Sequence, residues 1–183
     1  MMTSQERGQL LQIARDAITA HVTGGVRTVV DPTDLAARRG GVFVSLHSHG
    51  ELRGCIGHIE SDDSLTRVVA QCAVAACSAD PRFSAVAPAE LHELEIEVSL
   101  LGPLEPAAGP ADVEVGRHGL LVEMGRQRGV LLPQVATEWQ WDAAMFLAQT
   151  CRKAGLHEDS WRRDAMVKVW RFEAEVFGEQ AAY

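Results

Sequence analysis

Leu52-Arg53-Gly54-Cys55-Ile56-Gly57 lies inside a run, residues 51 to 59, that reads as a β-strand. Successive side chains of a strand point to opposite faces. Leu52, Gly54, Ile56 and His58 then share one face, and Arg53, Cys55, Gly57 and Ile59 the other. Leu52 and Ile56 supply a core face, so Arg53 and Cys55 stand side by side away from it. Two glycines in one short strand weaken it unless something gains from the missing side chains. Gly54 and Gly57 are read as bare backbone beside Cys55, where a ligand or another chain can approach. An arginine two positions from a cysteine favours the thiolate. The competing reading is that Cys55 is a small strand residue and Arg53 pairs with an acidic neighbour.

Working outward, residues 41 to 47 read as a second strand, joined to the first by a hairpin at His49-Gly50. Residues 4 to 21 have helical spacing, with Leu10, Ile13, Ala14, Ala17 and Ile18 on one side, Ser4 as a weak cap and Gly24-Gly25 as the stop. Asp31-Pro32-Thr33-Asp34 reads as a turn. A helix over 64 to 78 buries Leu65, Val68, Val69, Cys72, Ala73 and Ala76, and Asp80-Pro81 ends it. Residues 94 to 101 alternate as a strand. His118 to Met124 and Val130 to Leu132 form a second hairpin around Gly125 to Gly129. A helix capped by Asp142 runs to Ala154, and a last strand covers about 166 to 177. Hairpin strands interrupted irregularly by helices predict an α+β fold with a mostly antiparallel sheet and flanking helices. No repeat is visible, and residues 1 to 183 read as a single domain.

The bulk composition limits the function classes. The chain has 183 residues, 46% hydrophobic and 23% charged, with a formal net charge of -8. An acidic chain without a basic stripe lacks the electrostatic term that carries most nucleic-acid affinity, so nucleic acid and anionic membrane are not expected partners. No stretch approaches the ~20 apolar residues of a membrane-spanning helix. The opening residues read as an amphipathic helix and not as a signal peptide. Cys55, Cys72, Cys77 and Cys151 make no paired zinc half-sites, so no metal and no cofactor is expected, and reduced thiols fit a cytoplasmic protein.

The six-residue strand, together with Gly41-Val42-Phe43-Val44, Asp80-Pro81-Arg82-Phe83, Glu97-Val98-Ser99, His118-Gly119-Leu120, Leu131-Leu132-Pro133-Gln134-Val135 and Cys151-Arg152-Lys153-Ala154-Gly155-Leu156, resembles the AMMECR family, also called protein A of the AmmeMemoRadiSam system. The match runs in order from about residue 10 to 178. Many relatives have prolines where this chain has Ser61-Asp62-Asp63-Ser64. The resemblance implies two lobes around a cleft with the signature strand near it. It also implies a genomic context shared with a Memo-type protein and a radical SAM protein, which makes these possible partners. A small-molecule or peptide ligand in the cleft is compatible with it. It implies no settled reaction.

Three functions follow as expectations. In the first, the chain is a binding or accessory component. In the second, it is a cysteine-dependent enzyme: Cys55 is the nucleophile or redox thiol, Arg53 holds an anionic group of a small substrate, and His118 moves the proton. The third, from the resemblance, is a regulatory role in basic cellular machinery. Arg82 is a candidate anion clamp, or else ties its loop to the backbone with Phe83 packed beneath. Glu97, on a polar strand face, is a candidate partner for Arg53 or His118. His47, His49 and His58 cluster near one hairpin end and are read as incidental. Cys72 and Cys151 are read as core, and Trp139 and Trp141 as packing the entry of the following helix or walling the cleft.

Overall fold

The structure, a computed structural model, describes residues 2–26, 35 and 37–179. The turn expected at 31–34 lies outside them. The chain divides into two compact units, Met1–Leu101 with Glu175–Tyr183, and Gly102–Ala174. Every strand pairing given below is antiparallel, and helices flank the strands, as the pattern of hairpins predicts.

In the first unit, helix α1 (Ser4–Thr23) starts at Ser4, where the sequence reading placed it, but Ser4 is not its cap. Its cap is Thr3, whose Oγ1 accepts from the Glu6 amide at 3.2 Å while the Glu6 carboxylate accepts from the Thr3 amide at 2.7 Å. Gly24, in the left-handed region at φ 70°, closes the helix. Strands β1 (Gly41–Ser48) and β2 (Glu51–His58) form the hairpin; His49 and Gly50 both take positive φ, 53° and 81°, as a tight two-residue hairpin turn requires. Helix α2 (Leu65–Ser78) packs on β1, β2 and α1. Strand β3 (Leu94–Leu101) pairs with β1 on its other edge, giving the order β2-β1-β3. Val42, Val44, Leu46, Ile96 and Val98 meet Leu10, Ile18, Val68, Val69 and Cys72 in one buried cluster.

In the second unit the order is β6-β5-β7-β4, from β4 (Glu105–Pro106), β5 (His118–Met124), β6 (Gln127–Leu131) and β7 (Lys168–Gly178), the last of which runs on into the first unit. The second hairpin turns at Gly125-Arg126, so Gly129 is inside β6 and not in the turn. A side chain there would meet the Ala154 amide and the Thr150 carbonyl. Helix α3 (Pro133–Glu138), which periodicity did not reveal, precedes α4 (Ala143–Lys153) and α5 (Ser160–Arg163). Asp142 caps α4 as expected, accepting from the Met145 amide at 2.7 Å. Leu120, Val122, Phe146, Leu147 and Cys151 form this unit's core.

Candidate functional site

The register of the first hairpin fixes the site. Ser48 pairs with Glu51 and His47 with Leu52, but Leu46 pairs with Gly54. Arg53 is the extra residue of a β-bulge. The bulge breaks the two-residue alternation on which the expected faces rested. Leu52 changes sides: it pairs with His47, not with a core residue, and is 38% exposed. Arg53 is not the cation beside Cys55. Its guanidinium holds both oxygens of Glu90, at 2.8 and 3.2 Å, and donates to the Ser84 carbonyl at 2.9 Å. Glu90 is held below the usual carboxylate range by that arginine first, and then by the Ala87 amide.

Beyond the bulge, Val42, Val44 and Leu46 face the helices with His58, Ile56 and Gly54 as cross-strand partners. The opposite face carries three rows across β2, β1 and β3. They are Gly57-Phe43-Ser99, Cys55-Ser45-Glu97 and Leu52-His47-Glu95. Glu97 is thus in the row of Cys55, and Ser45, which the sequence reading passed over, stands between them. The Ser45 hydroxyl lies 3.2 Å from Cys55 Sγ.

Both glycines of the strand are filled by the protein itself. A Cβ on Gly54 would lie 2.2 Å from the Ala76 carbonyl oxygen of α2, and one on Gly57 would lie 2.3 Å from the Phe43 ring. The reading of bare backbone awaiting a ligand is therefore corrected. Gly54 lets a helix backbone touch the strand, and Gly57 seats a cross-strand aromatic ring.

The cation at Cys55 comes from Asp80-Pro81-Arg82-Phe83. Asp80 is buried, and its carboxylate accepts the Cys55 amide at 2.9 Å, the Arg82 amide at 3.1 Å, Arg82 Nε at 3.0 Å and Arg82 Nη2 at 2.7 Å. The Arg82 hydrogen bond first, with the two amides, holds the Asp80 carboxyl well below the usual carboxylate range. Arg82 Nη2 also stands 3.5 Å from the Cys55 carbonyl oxygen, and the guanidinium lies 5.4 Å above the Phe83 ring. Its pKa is raised by the Asp80 hydrogen bond above all, with the Cys55 charge adding to it. The side chain remains 55% exposed. Arg82 thus ties its loop to β2 through Asp80, and its guanidinium lies against the Cys55 backbone.

The remaining cysteines fit a core role. Cys72, Cys77 and Cys151 are buried, and burial pushes each thiol up, Cys72 to about 11. Cys55 is the half-exposed one. His118, in the second unit, is buried; its Nδ1 accepts from the Glu114 amide at 2.9 Å, and desolvation first, then Arg171 and Arg117, lowers its pKa. An imidazole held this way is neutral at pH 7.

The three histidines of the first hairpin do not gather. His58 pairs with Val42, five residues along β1 from His47, a separation of about 17 Å at the rise of a strand. His49 instead faces Glu93 at 3.3 Å. His47, Glu95, Glu97 and Glu179 border a recess of about 280 Å³. Among the described residues no set of three or more His, Cys, Asp or Glu side chains has the placement of a metal site. Trp141 is half-buried against the second core, whereas Trp139 is 67% exposed.

The sequence profile of the AMMECR1 family matches residues 11–177. A protein of Methanothermobacter thermautotrophicus is 46% identical over 185 residues, covering 96% of each chain. One from Thermococcus gammatolerans is 45% identical, covering 93% of this chain and 89% of its own. Among solved structures, the crystal structure of an uncharacterised protein from Pyrococcus horikoshii superposes with a TM-score of 0.86 at 40% identity, covering 93% of this chain and 90% of that one.

Proposed function

Because this chain belongs to the AMMECR1 family, we propose that it is an accessory binding protein whose recognition surface is the face of β2 and β1 opposite α2, centred on Cys55 and Arg82. One observation carries this reading. The Arg82 guanidinium is pinned along its Nε–Nη2 edge by a buried carboxylate and is still 55% exposed. An arginine fixed this way is preorganised for a carboxylate or phosphate, because less side-chain freedom is lost on binding. The ligand is then an anionic group on a small molecule or on a segment of a partner. Memo-type and radical SAM proteins are the candidates implied by the family's context. Cys55 adds a half-exposed thiol at the same place, with the buried Ser45 hydroxyl behind it.

A second reading uses the same residues. Cys55 is the half-exposed thiol, with a hydroxyl at 3.2 Å and a guanidinium beside it, which favours a cysteine-dependent reaction on a small anionic substrate. The two separate in one experiment. The ¹⁵N-labelled chain is titrated with inorganic phosphate and with a hexaglutamate peptide. The binding reading expects saturable shifts of the Cys55, Arg82 and Phe83 amides, retained in Cys55→Ser and lost in Arg82→Ala. Loss in Cys55→Ser alone, with circular dichroism unchanged, transfers the site to the thiol reading. If neither probe moves these amides, the surface is not an anion site.

A further inference from the structure

In the second unit, the end of α3 displays an aromatic pair to solvent. Trp139 and Trp141 stack with ring centroids 6.0 Å apart and planes inclined by 17°. The turn that brings them together is fixed by the backbone. The Trp139 amide donates to the Val135 carbonyl at 3.1 Å, the Gln140 amide to Thr137 at 3.1 Å and the Trp141 amide to Ala136 at 2.9 Å. Gln140, between the two rings, takes a left-handed φ of 53°, a conformation that costs a non-glycine residue energy. Trp141 packs on the second core, so it anchors the inner side of the stack. The outer side is Trp139, two-thirds exposed, with the exposed Met145 one turn into α4.

The charges carried by the segment that bears this pair are of one sign. From Gly129 to Cys151 the sequence has no Lys, Arg or His, and its only charged residues are Glu138 and Asp142. These flank the two tryptophans and are exposed. No ion pair to either is found among the described residues. An apolar partner laid on Trp139 would desolvate both carboxylates, with nothing to compensate Glu138 and only the Met145 amide at Asp142. A nucleobase could stack on the ring, but its phosphates would meet the same two carboxylates in an already acidic protein. A cation satisfies both demands. A guanidinium lies flat on an indole face and donates to carboxylates at its edge.

The geometry points to a docking site for a basic peptide segment: an arginine of a partner laid on the outer face of Trp139, between Glu138 and Asp142. The two rings are already stacked before the partner arrives, so less side-chain freedom is lost in binding, and tryptophan and arginine are among the residues that most often dominate interface energies.

The test uses the full chain, ¹⁵N-labelled, titrated with an acetylated hexa-arginine amide and, separately, with hexaglutamate. The Trp139 indole N–H and the Glu138 and Asp142 amides are expected to shift saturably with hexa-arginine and to stay still with hexaglutamate. Trp139→Ala should weaken binding about tenfold, Glu138→Gln about threefold, and Trp139→Phe, which keeps an aromatic face, by less than about threefold. Equal binding by Trp139→Ala and the parent chain would show only general attraction to an acidic protein and overturn the site. So would shifts confined to other residues, or displacement of the peptide by oligo(dT). Sedimentation gives an independent check. A concentration-dependent dimer abolished by Trp139→Ala would mean that a second copy of the chain covers the patch, and would also overturn the proposal.

Discussion

The backbone N–H of Cys55 donates to Oδ2 of Asp80 at 2.9 Å, so the strand that carries the thiol and the loop that carries Arg82 are joined through one buried carboxylate. That carboxylate is almost without solvent, and each of its oxygens is engaged. Its effects on stability and on the site can both be measured.

Asp80 titrates far below its unfolded value, so the protein binds fewer protons at this group when folded. The stabilisation is fully present above the unfolded carboxyl pKa of about 3.9 and is lost as pH falls through the lower folded value. One such group contributes a slope of up to about 1.4 kcal/mol per pH unit in that window. Urea melts at a series of pH values below 4 should therefore show a shallower acid dependence for Asp80→Asn than for the parent chain. Parallel curves would show that the carboxylate is not ionised as the geometry requires.

Gly54 faces the Ala76 carbonyl so closely that even a methyl group cannot enter without moving α2. Gly54→Ala is expected to lower stability by on the order of 3 kcal/mol, since the atoms its methyl group meets are helix backbone that cannot rotate away. Denaturant midpoints at constant slope measure it. A loss below about 0.5 kcal/mol would mean that the helix and strand are not in contact there.

Thiol reactivity should follow burial. Cys55 is half-exposed, whereas Cys72, Cys77 and Cys151 are buried with raised pKa values. Iodoacetamide at pH 7.5, followed by peptide mass mapping, should label Cys55 first. Arg82→Ala should slow that labelling, because it removes the neighbouring positive charge. Labelling of Cys72 at a comparable rate would contradict the packing of α2 on β1.

Thr3 and Glu6 close a reciprocal cap on α1. Thr3→Ala should cost about 1 kcal/mol, and Ser4→Ala almost nothing. Equal costs would return the cap to Ser4.

Much of this fold was legible in the sequence. The alternation of 41–47 and 94–101, the His49-Gly50 turn and the Asp142 cap all follow from local rules, and local rules hold wherever no extra residue intervenes. The site was less legible because one does. A bulge adds a single residue without any composition signal of its own. At Arg53 it exchanges the roles of two arginines and turns Leu52 away from the core. A register counted from the two-residue turn would place Ser45 opposite Gly54; the bulge moves it opposite Cys55. The glycines misled for a related reason, since a strand glycine marks close approach without saying by what. Asp80-Pro81-Arg82-Phe83 was visible as a motif, but only the fold shows that its carboxylate reaches the Cys55 amide. Helix α3, at six residues, is too short for periodicity to declare it.

The first unit is assembled from both ends of the chain. The Met2 amide and Arg7 of α1 bind Glu175, and Arg15 binds Glu179, across sequence separations of 173, 168 and 164 residues. During synthesis the second unit, Gly102–Ala174, is one continuous stretch, whereas the first cannot be completed until Glu175 and Glu179 have been made. Helix α1 therefore waits for Glu175 and Glu179, made 168 and 164 residues after Arg7 and Arg15, before these ion pairs can close. A chain truncated after Ala174 and released from the ribosome should hold a closed second unit and a first one without these ion pairs, and the interval before they close is when the chain most needs protection from other nascent proteins.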